Sequence, residues 1–262
     1  PTTPPPLSPA PTTMTPRTSS ILEGLLSSSP AVARRSLSKA VTLVESSCSL
    51  RRSQAALLLQ AVADDVLLGS DEGDAEGGDP PVGFRVGIAG PPGAGKSTFI
   101  EALGLHVLSN SPDDDLPWSP PTLSVLSIDP SSTYSGGSIL GDKTRMPSLS
   151  NHPSAFVRPS PAGDNLGGVA AYTSDVVQLC NAAGYSCCVV ETVGVGQSEV
   201  EVDNCVDVMV LLVPPGGGDD LQGSKKGIVE VADVLVVNKA DGDYLNVARR
   251  TAGDYQRAVK WQ

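Results

Sequence analysis

A glycine-rich stretch that ends in lysine and serine has the composition of a phosphate-binding loop. Residues 90–97 read Gly-Pro-Pro-Gly-Ala-Gly-Lys-Ser, which fits the pattern G-x-x-x-x-G-K-S. Its glycines let backbone N–H groups turn towards phosphate oxygens, and the helix expected to follow directs its positive end at them. Lys96 would contact the β- and γ-phosphates, and Ser97 would bind Mg²⁺. The nucleotide's phosphates are expected to contact Gly90, Gly93, Ala94, Gly95, Lys96, Ser97 and Thr98.

A second polar pattern follows an apolar run later in the chain. Residues 234–237 are Val-Leu-Val-Val, and the N-K-x-D pattern of guanine recognition comes directly after them as Asn238, Lys239 and Asp241. The Asp241 carboxylate can accept hydrogen bonds from N1–H and the 2-amino group of guanine, a donor pair that adenine lacks. Lys239 can lie along the base, and Asn238 can brace the phosphate loop. The pattern therefore predicts that the bound base is guanine.

Carboxylates follow other apolar runs. Glu191 ends the run Cys-Cys-Val-Val at 187–190, an arrangement typical of a residue near a catalytic metal or its waters. Asp129 and Asp142 lie in segments rich in small and polar residues, and both could serve a hard cation, which prefers oxygen ligands. The glycine- and lysine-containing stretch 216–226 is suited to a flexible loop facing an anionic phosphate.

The elements that must position these residues alternate along the chain. Strands are expected at 85–89, 122–128, 186–191, 206–213 and 233–237, and helices at 96–108, 169–183, 224–231 and 244–260. Apolar strands buried on both faces and alternating with helices predict an α/β fold with a mainly parallel sheet. Together with the phosphate loop, this is the three-layer P-loop NTPase fold.

Composition changes along the chain predict four segments. Residues 1–18 are rich in Pro, Thr and Ser, which indicates a disordered tail or the remnant of a targeting peptide. Residues 19–68 are expected to form a helical extension, residues 69–81 an acidic linker, and residues 82–262 the P-loop domain. Apolar positions predict two helices in the extension, one through Val32, Leu37, Ala40, Val41 and Val44 and one through Leu50, Ala56, Leu57, Leu58 and Val62.

Composition also excludes several classes of protein. The net charge of the 262 residues is −11, and no basic face that would bind nucleic acid is visible. No apolar run approaches the ~20 residues that a membrane helix needs. The five cysteines form no C-x-x-C pair, so we expect reduced thiols rather than disulfides or a zinc site.

Longer strings make the pattern more specific than a generic phosphate loop. They include Gly-Gly-Ser-Ile-Leu-Gly-Asp-Lys-Thr-Arg-Met at 136–146, Glu-Thr-Val-Gly-Val-Gly-Gln-Ser-Glu at 191–199, Asp-Pro-Ser-Ser at 129–132, Leu-Gly-Gly-Val at 166–169 and Gly-Asp-Asp-Leu-Gln-Gly at 218–223. In this order the segments resemble the accessory GTPases of methylmalonyl-CoA mutase. This is the MeaB/ArgK family, which includes the methylmalonic aciduria type A protein and lies in the SIMIBI branch of P-loop GTPases. The resemblance spans roughly residues 19–260.

The resemblance implies a Mg²⁺-dependent GTPase that acts as a chaperone. It would gate delivery of adenosylcobalamin to methylmalonyl-CoA mutase and protect that enzyme, in the mitochondrial matrix of a eukaryote or otherwise in the cytoplasm. The loop 216–226, with Lys225, matches a mobile switch, and the full-length protein would form a homodimer. The implied catalytic residues are Lys96, Asp142 and Glu191, the implied metal ligands are Ser97, Asp129, Asp142 and Glu191, and the implied guanine contacts are Asn238, Lys239 and Asp241.

The sequence departs from the family pattern at Asp220, where the family usually has Glu, and at its end. The chain stops at Gln262, whereas the family continues with a strand, a last guanine-contacting loop and a dimerisation arm, so we expect the C-terminal part of the domain to be missing. Two alternatives stay open. One is a GTPase for metal-centre maturation, although the His- or Cys-rich sites of such proteins are not visible here. The other is a nucleotide-binding scaffold that regulates a partner without hydrolysis.

Overall fold

The computed structural model describes residues 12–69, 83–109, 121–129, 145–161, 168–192, 202–217 and 226–259. The chain divides into two compact units. One comprises residues 1–80 with 178–184, and the other comprises residues 81–177 with 185–262.

Three helices build the described N-terminal part of the first unit: α1 (Pro16–Leu25), α2 (Pro30–Val44) and α3 (Ser49–Gly69). Thr15 caps α1 by accepting a hydrogen bond from the N–H of Thr18, and prolines start both α1 and α2, where the missing N–H costs nothing. The expected N-terminal helices are therefore present, but they are three rather than two. The first begins at Pro16, inside the segment expected to be a tail.

A buried glutamine ties α3 to the start of α1. The Gln54 side chain is 4% exposed. Its Oε1 accepts hydrogen bonds from the N–H of Thr15 at 2.7 Å and the hydroxyl of Thr18 at 2.8 Å, and its Nε2 donates to the carbonyl of Thr13 at 3.1 Å. Because both ends of the amide are paired, its burial is not penalised, and the bonds fix where α1 begins.

The buried faces of α2 and α3 differ from the sequence prediction at Val32 in α2 and at Leu50 and Ala56 in α3, all of which are exposed. The buried hydrophobic residues of α2 are Ala33, Leu37, Ala40, Val41 and Val44, and Val32 falls off this face with 44% of its surface exposed. Leu50 is 60% exposed, because it lies one turn before Gln54, where the buried part of α3 starts.

Six parallel strands form the sheet of the second unit: β1 (Phe84–Ala89), β2 (Leu123–Asp129), β3 (Ala155–Pro161), β4 (Cys187–Glu191), β5 (Val208–Val213) and β6 (Val234–Val237). Their spatial order is β3-β2-β4-β1-β5-β6, and every neighbouring pair is parallel. The expected α/β fold with its parallel sheet is confirmed. Because parallel strands end at one edge of the sheet, the loops after them converge there.

The other described helices are α4 (Lys96–Ser109), α5 (Pro147–Asn151), α6 (Gly168–Ala182), α7 (Lys226–Val231) and α8 (Leu245–Val259). All belong to the second unit except residues 178–182 of α6, which belong to the first. A short 3₁₀ turn, Gly242–Tyr244, precedes α8. The helices expected at 96–108, 169–183, 224–231 and 244–260 correspond to α4, α6, α7 and α8. In the described parts of the chain, no helix combines the length and the apolar character needed to cross a membrane.

Strand β3 was not predicted from the sequence. It pairs with β2 along seven residues, from Leu123 opposite Ala155 to Asp129 opposite Pro161. Two of its residues, Pro159 and Pro161, cannot donate to a strand partner, which makes the segment look unlike a strand. An edge position tolerates them, because one side of β3 has no partner among the described strands.

The hydrophobic core between α4 and the sheet sets the position of the phosphate loop. It comprises Ile88, Ala94, Ile100, Leu123, Val125, Met146, Leu149, Ala155, Val157, Cys187, Val189 and Leu212. Gly104 of α4 lets the helix approach closely, since a Cβ there would lie 2.6 Å from a Leu123 methyl and 2.9 Å from a Leu149 methyl. The first turn of α4, where the phosphate loop ends, is thus held by packing further along the same helix.

Candidate nucleotide-binding site

The phosphate loop joins the end of β1 to the first turn of α4. Gly90 follows β1 directly and has φ of 150°. A Cβ at this position would collide with the carbonyl oxygen of Leu212 in the neighbouring strand β5, so glycine is required for the loop to leave the sheet here. Inside the loop, the N–H of Ala94 donates to the carbonyl of Pro91 at 3.2 Å.

Lys96 holds its ammonium group against the loop that precedes it. The residue is 8% exposed, and its Nζ donates to the carbonyl oxygens of Gly90 at 2.7 Å and Pro91 at 3.3 Å. These bonds keep a buried charge hydrogen-bonded. They also hold the ammonium at the start of α4, where the helix dipole favours an anion.

Glu191 connects two serines from different elements. It is the last residue of β4 and is 6% exposed. Its Oε1 accepts a hydrogen bond from the Ser97 hydroxyl at 2.8 Å, and its Oε2 accepts one from the Ser127 hydroxyl at 3.0 Å. The structure thus brings together two of the residues predicted to hold a cation, Ser97 and Glu191.

The residues after β6 contact the phosphate loop directly. Asn238 donates from its backbone N–H to the carbonyl of Val213 at 2.9 Å and from its side-chain Nδ2 to the carbonyl of Ala94 at 2.8 Å. Lys239 has φ of 55°, and its Nζ donates to the carbonyl of Gly93 at 2.8 Å. The expected guanine-recognition segment and the phosphate loop are therefore parts of one hydrogen-bonded assembly.

A glycine in the loop makes room for this contact. Gly95 has φ of 91°, and a Cβ there would lie 2.7 Å from Nδ2 of Asn238. Any larger residue would be strained in its backbone and would press on the Asn238 amide.

Asp241 and Thr98 are both exposed. Asp241 precedes the turn Gly242–Tyr244 in an extended conformation, and its carbonyl accepts a hydrogen bond from the N–H of Tyr244 at 3.1 Å. Its carboxylate makes no capping bond to that turn. Thr98 lies in the first turn of α4.

Several predicted site residues lie outside what the structure describes. The backbone of Asp129 ends β2, but its side chain is not described, and neither is any part of Asp142. Of the expected switch loop, only residues 216, 217 and 226 are described, and Lys225 is not. Their assignments stay predictions.

The last helix holds the start of that loop. The hydroxyl of Thr251 in α8 accepts a hydrogen bond from the N–H of Gly216 at 2.9 Å and donates to the carbonyl of Val247 at 3.0 Å. The hydroxyl of Tyr255, one turn later, donates to the carbonyl of Gly217 at 3.3 Å. Two backbone groups after β5 are therefore fixed by side chains of α8.

The residues present at the site fit a hard cation. Ser97 and Glu191 offer hydroxyl and carboxylate oxygens, the donors that Mg²⁺ prefers, beside the first turn of α4. Across the described ranges, no group of three or more His, Cys, Asp or Glu side chains is placed to hold a metal ion.

At the opposite edge of the sheet, an ion pair anchors β5 to β1. Arg85 donates to the two Asp207 carboxylate oxygens from its guanidinium at 2.6 and 3.1 Å and from its backbone N–H at 2.8 Å. These bonds to Arg85 lower the pKa of the Asp207 carboxyl, and the same pair raises the pKa of Arg85. Before β6, the Asp233 carboxylate accepts a hydrogen bond from the N–H of Met209 at 2.8 Å, which links β6 to β5.

Sequence reasoning missed Ser127, Thr251 and Tyr255. Ser127 had one available signal, since it is a serine in a predicted strand, two residues before a predicted metal ligand. Thr251 and Tyr255 had none, because their partners lie more than thirty residues away along the chain.

Comparisons with known proteins identify the family of this chain. The family model described as methylmalonyl-CoA mutase-associated GTPase MeaB matches residues 37–262. The chain is similar to the mouse protein named methylmalonic aciduria type A homolog, mitochondrial, with 48% identity over 227 residues, 87% of this chain and 52% of that protein. It is also 48% identical over 227 residues to a probable GTPase of Mycobacterium tuberculosis (strain H37Rv), covering 87% of this chain and 61% of that protein.

Among solved structures, a crystal structure of LAO/AO transport system kinase has a TM-score of 0.63 and 32% identity to this chain. The similarity covers 92% of this chain and 61% of that structure. The chain therefore spans between about half and three fifths of these relatives' length. Because the family model matches residues 37–262, which is most of the chain, this protein belongs to the family of the methylmalonyl-CoA mutase-associated GTPase MeaB.

Proposed function

We propose that this protein binds GTP with Mg²⁺ and hydrolyses it to GDP and phosphate. The observation that carries the proposal is the contact of Asn238 and Lys239 with the carbonyls of Ala94 and Gly93. It joins a segment suited to guanine to a segment suited to phosphates, so that one nucleotide can span both. Family membership supports the same conclusion.

The phosphates would bind where Lys96 now contacts the loop carbonyls. Its ammonium can exchange the bonds to Gly90 and Pro91 for bonds to β- and γ-phosphate oxygens, which are stronger because they are charge-assisted. The loop N–H groups and the α4 dipole add to the stabilisation of negative charge. Since phosphoryl transfer depends mainly on positioning and electrostatics, this loop supplies much of what the reaction requires.

Ser97 and Glu191 would hold the cation, with Asp129 and Asp142 as further proposed ligands. Bound Mg²⁺ would neutralise charge on the β- and γ-phosphates. Glu191 orients the Ser97 hydroxyl and, with Asp142, is proposed to orient the water that attacks in line. Asp241 would select guanine, because its exposed carboxylate can accept both donors of the base edge.

The proposed client is methylmalonyl-CoA mutase, which the family description names. In this proposal the protein is a chaperone that gates adenosylcobalamin delivery to the mutase and protects it. The loop 216–226 acts as the switch that couples the nucleotide state to the partner. The full-length protein forms a homodimer. The name of the mouse relative supports a mitochondrial location if this chain comes from a eukaryote.

Activity is tested by comparing wild type with Lys96→Ala and, as a matched control, Lys39→Ala, which removes an exposed lysine of α2. Wild type and Lys39→Ala should release phosphate from GTP in Mg²⁺ and not from ATP, whereas Lys96→Ala should not. Guanine nucleotide binding without any turnover by wild type would instead support the scaffold without hydrolysis.

The client is tested separately by nucleotide-dependent pull-down with purified methylmalonyl-CoA mutase. Association should differ between the GDP-bound and GTP-bound states. No association in any state would remove the chaperone role and leave GTP binding untouched.

A further inference from the structure

We infer that Ser127 is a positioning residue, which sets the orientation of the Glu191 carboxylate so that its other oxygen faces Ser97. The inference rests on the proposed function, because the orientation of Glu191 is expected to affect the binding of nucleotide and cation. Ser127 itself is not expected to contact nucleotide.

The register of the sheet places the two residues side by side. Ser127 of β2 and Glu191 of β4 are Cα partners in a parallel pair. Partners in register project their side chains from the same face of the sheet, so the serine hydroxyl and the carboxylate meet directly. The contact follows from the pairing of β2 with β4 and does not depend on the conformation of any loop.

The burial of the pair makes the hydrogen bond matter. Ser127 is 4% exposed and Glu191 is 6% exposed, so water cannot easily replace a lost partner. The carboxylate accepts from Ser127 through Oε2 at 3.0 Å and from Ser97 through Oε1 at 2.8 Å. With one hydroxyl on each oxygen, the plane of the carboxylate is fixed between β2 and the first turn of α4.

The residues that precede Ser127 and Glu191 on this face of β2 and β4 are apolar. In β2 they are Leu123 and Val125, and in β4 they are Cys187 and Val189, all members of the core under α4. Ser127 and Glu191 follow these apolar residues at the carboxyl edge of the sheet, where the phosphate loop lies. Ser127 therefore replaces an apolar residue at the position where the Glu191 carboxylate can accept a hydrogen bond from it.

Ser124 supplies a matched comparison within the same strand. It is fully buried, and its hydroxyl donates to the backbone carbonyl of Cys187 at 3.3 Å, so it too links β2 to β4. Its bond ends on the backbone and not on the carboxylate of Glu191. Replacing Ser124 therefore tests what loss of a buried β2–β4 hydrogen bond does by itself.

The first experiment measures retention of a fluorescent GDP analogue by the whole chain as Mg²⁺ is titrated. The variants are Ser127→Ala, Ser127→Thr and Ser124→Ala. Ser127→Ala should need roughly tenfold more Mg²⁺ for half-maximal retention, the usual scale for losing a partner that orients a ligand. Ser127→Thr, which keeps the hydroxyl, and Ser124→Ala should follow the wild-type curve. An unchanged curve for Ser127→Ala, or equal shifts for both alanine variants, overturns the inference.

A second measurement is made without nucleotide, so that it does not depend on the proposed function. The side-chain carboxyl of Glu191 is observed by ¹³C NMR in glutamate-labelled protein and assigned by its disappearance in Glu191→Gln. Its resonance should shift in Ser127→Ala and stay in place in Ser124→Ala. A resonance that does not respond to Ser127→Ala contradicts the inference, whereas failure of wild type to bind GDP at any Mg²⁺ concentration contradicts the proposed function.

Discussion

The side-chain amide of Asn238 donates a 2.8 Å hydrogen bond to the carbonyl oxygen of Ala94, although 144 residues separate them in the chain. Asn238 is itself fixed by its backbone bond to Val213 at the end of β5. The phosphate loop is thereby tied to the carboxyl edge of the sheet at a second point, beyond its attachments to β1 and α4.

Asn238→Ala should weaken GDP binding by about fivefold, because a neutral hydrogen bond contributes about 1 kcal/mol and the loop carbonyl loses its partner. Isothermal titration would measure the change. Asn246→Ala, at an exposed site in α8, is the control and should bind as wild type does. Equal affinities for Asn238→Ala and wild type would show that the bond does not support the loop.

Gly95→Ala should destabilise the protein by about 1–3 kcal/mol, because an alanine at φ of 91° is strained and its Cβ would press on Asn238. Gly253→Ala is the matched control: it lies in α8 with nothing within 4 Å of its added Cβ. There alanine should stabilise by about 0.5–1 kcal/mol through helix propensity. Urea unfolding would measure both, and the same sign for both variants would contradict the account.

Asp241→Asn should shift base preference from guanine to xanthine. The amide that replaces the carboxylate can donate to the 2-oxo group of xanthine, whereas it loses one acceptor for the two donors of guanine. Competition between GDP and xanthosine diphosphate would measure the preference. Asp243→Asn, an exposed acid in the adjoining turn, should not change it. Unchanged selectivity in Asp241→Asn would remove Asp241 from the base site.

Thr251→Val should lower the free energy of unfolding by about 1–2 kcal/mol, since the N–H of Gly216 loses its acceptor and the buried hydroxyl is replaced by a methyl group. Amide hydrogen exchange at Gly216 should speed up in the same variant. Thr42→Val, at an exposed position of α2, is the control and should have a smaller effect. Unaltered exchange at Gly216 would show that α8 does not hold the start of the loop.

Asp207→Asn should destabilise the protein at neutral pH and not in acid. The folded pKa of Asp207 is lowered, so its ionised form contributes stability that is present above its unfolded pKa of about 3.9 and is lost as pH falls through the folded pKa. The pair with Arg85 is about one third exposed, which limits the difference to about 1 kcal/mol or less. Unfolding free energies of both proteins between pH 7 and pH 3 should converge, and a constant gap would contradict this.

The parts of the fold that could be predicted from the sequence depend on residue types and spacing within a single segment. Five strands are short, mainly apolar segments, and the segments expected to be helical alternate with them along the chain. Strand β3 was not predicted because Pro159 and Pro161 are unfavourable in most strands. They are tolerated because β3 lies at the edge of the sheet, which depends on the tertiary structure. In the same way, the exposure of Val32 and Leu50 depends on which faces of α2 and α3 are covered by neighbours.

The candidate site divides along the same line. The phosphate loop and the N-K-x-D pattern are each a single continuous segment, so both could be predicted from residue types and spacing. The bonds that join them, from Asn238 to Ala94 and from Lys239 to Gly93, follow from the strand order and could not. The link from Ser127 to Glu191 needed the pairing of β2 with β4, which no local pattern contains.

The most direct test of the central claim is an equilibrium titration of the 262-residue chain with GDP and with ADP in the presence of Mg²⁺. If one nucleotide spans the phosphate loop and the segment 238–241, GDP should bind. ADP should bind more weakly by a factor of at least about a hundred, because adenine lacks the donor pair that the Asp241 carboxylate would accept from guanine. Lys96→Ala should abolish GDP binding. Equal affinity for the two nucleotides, or GDP binding that is unaffected by Lys96→Ala, would contradict the account.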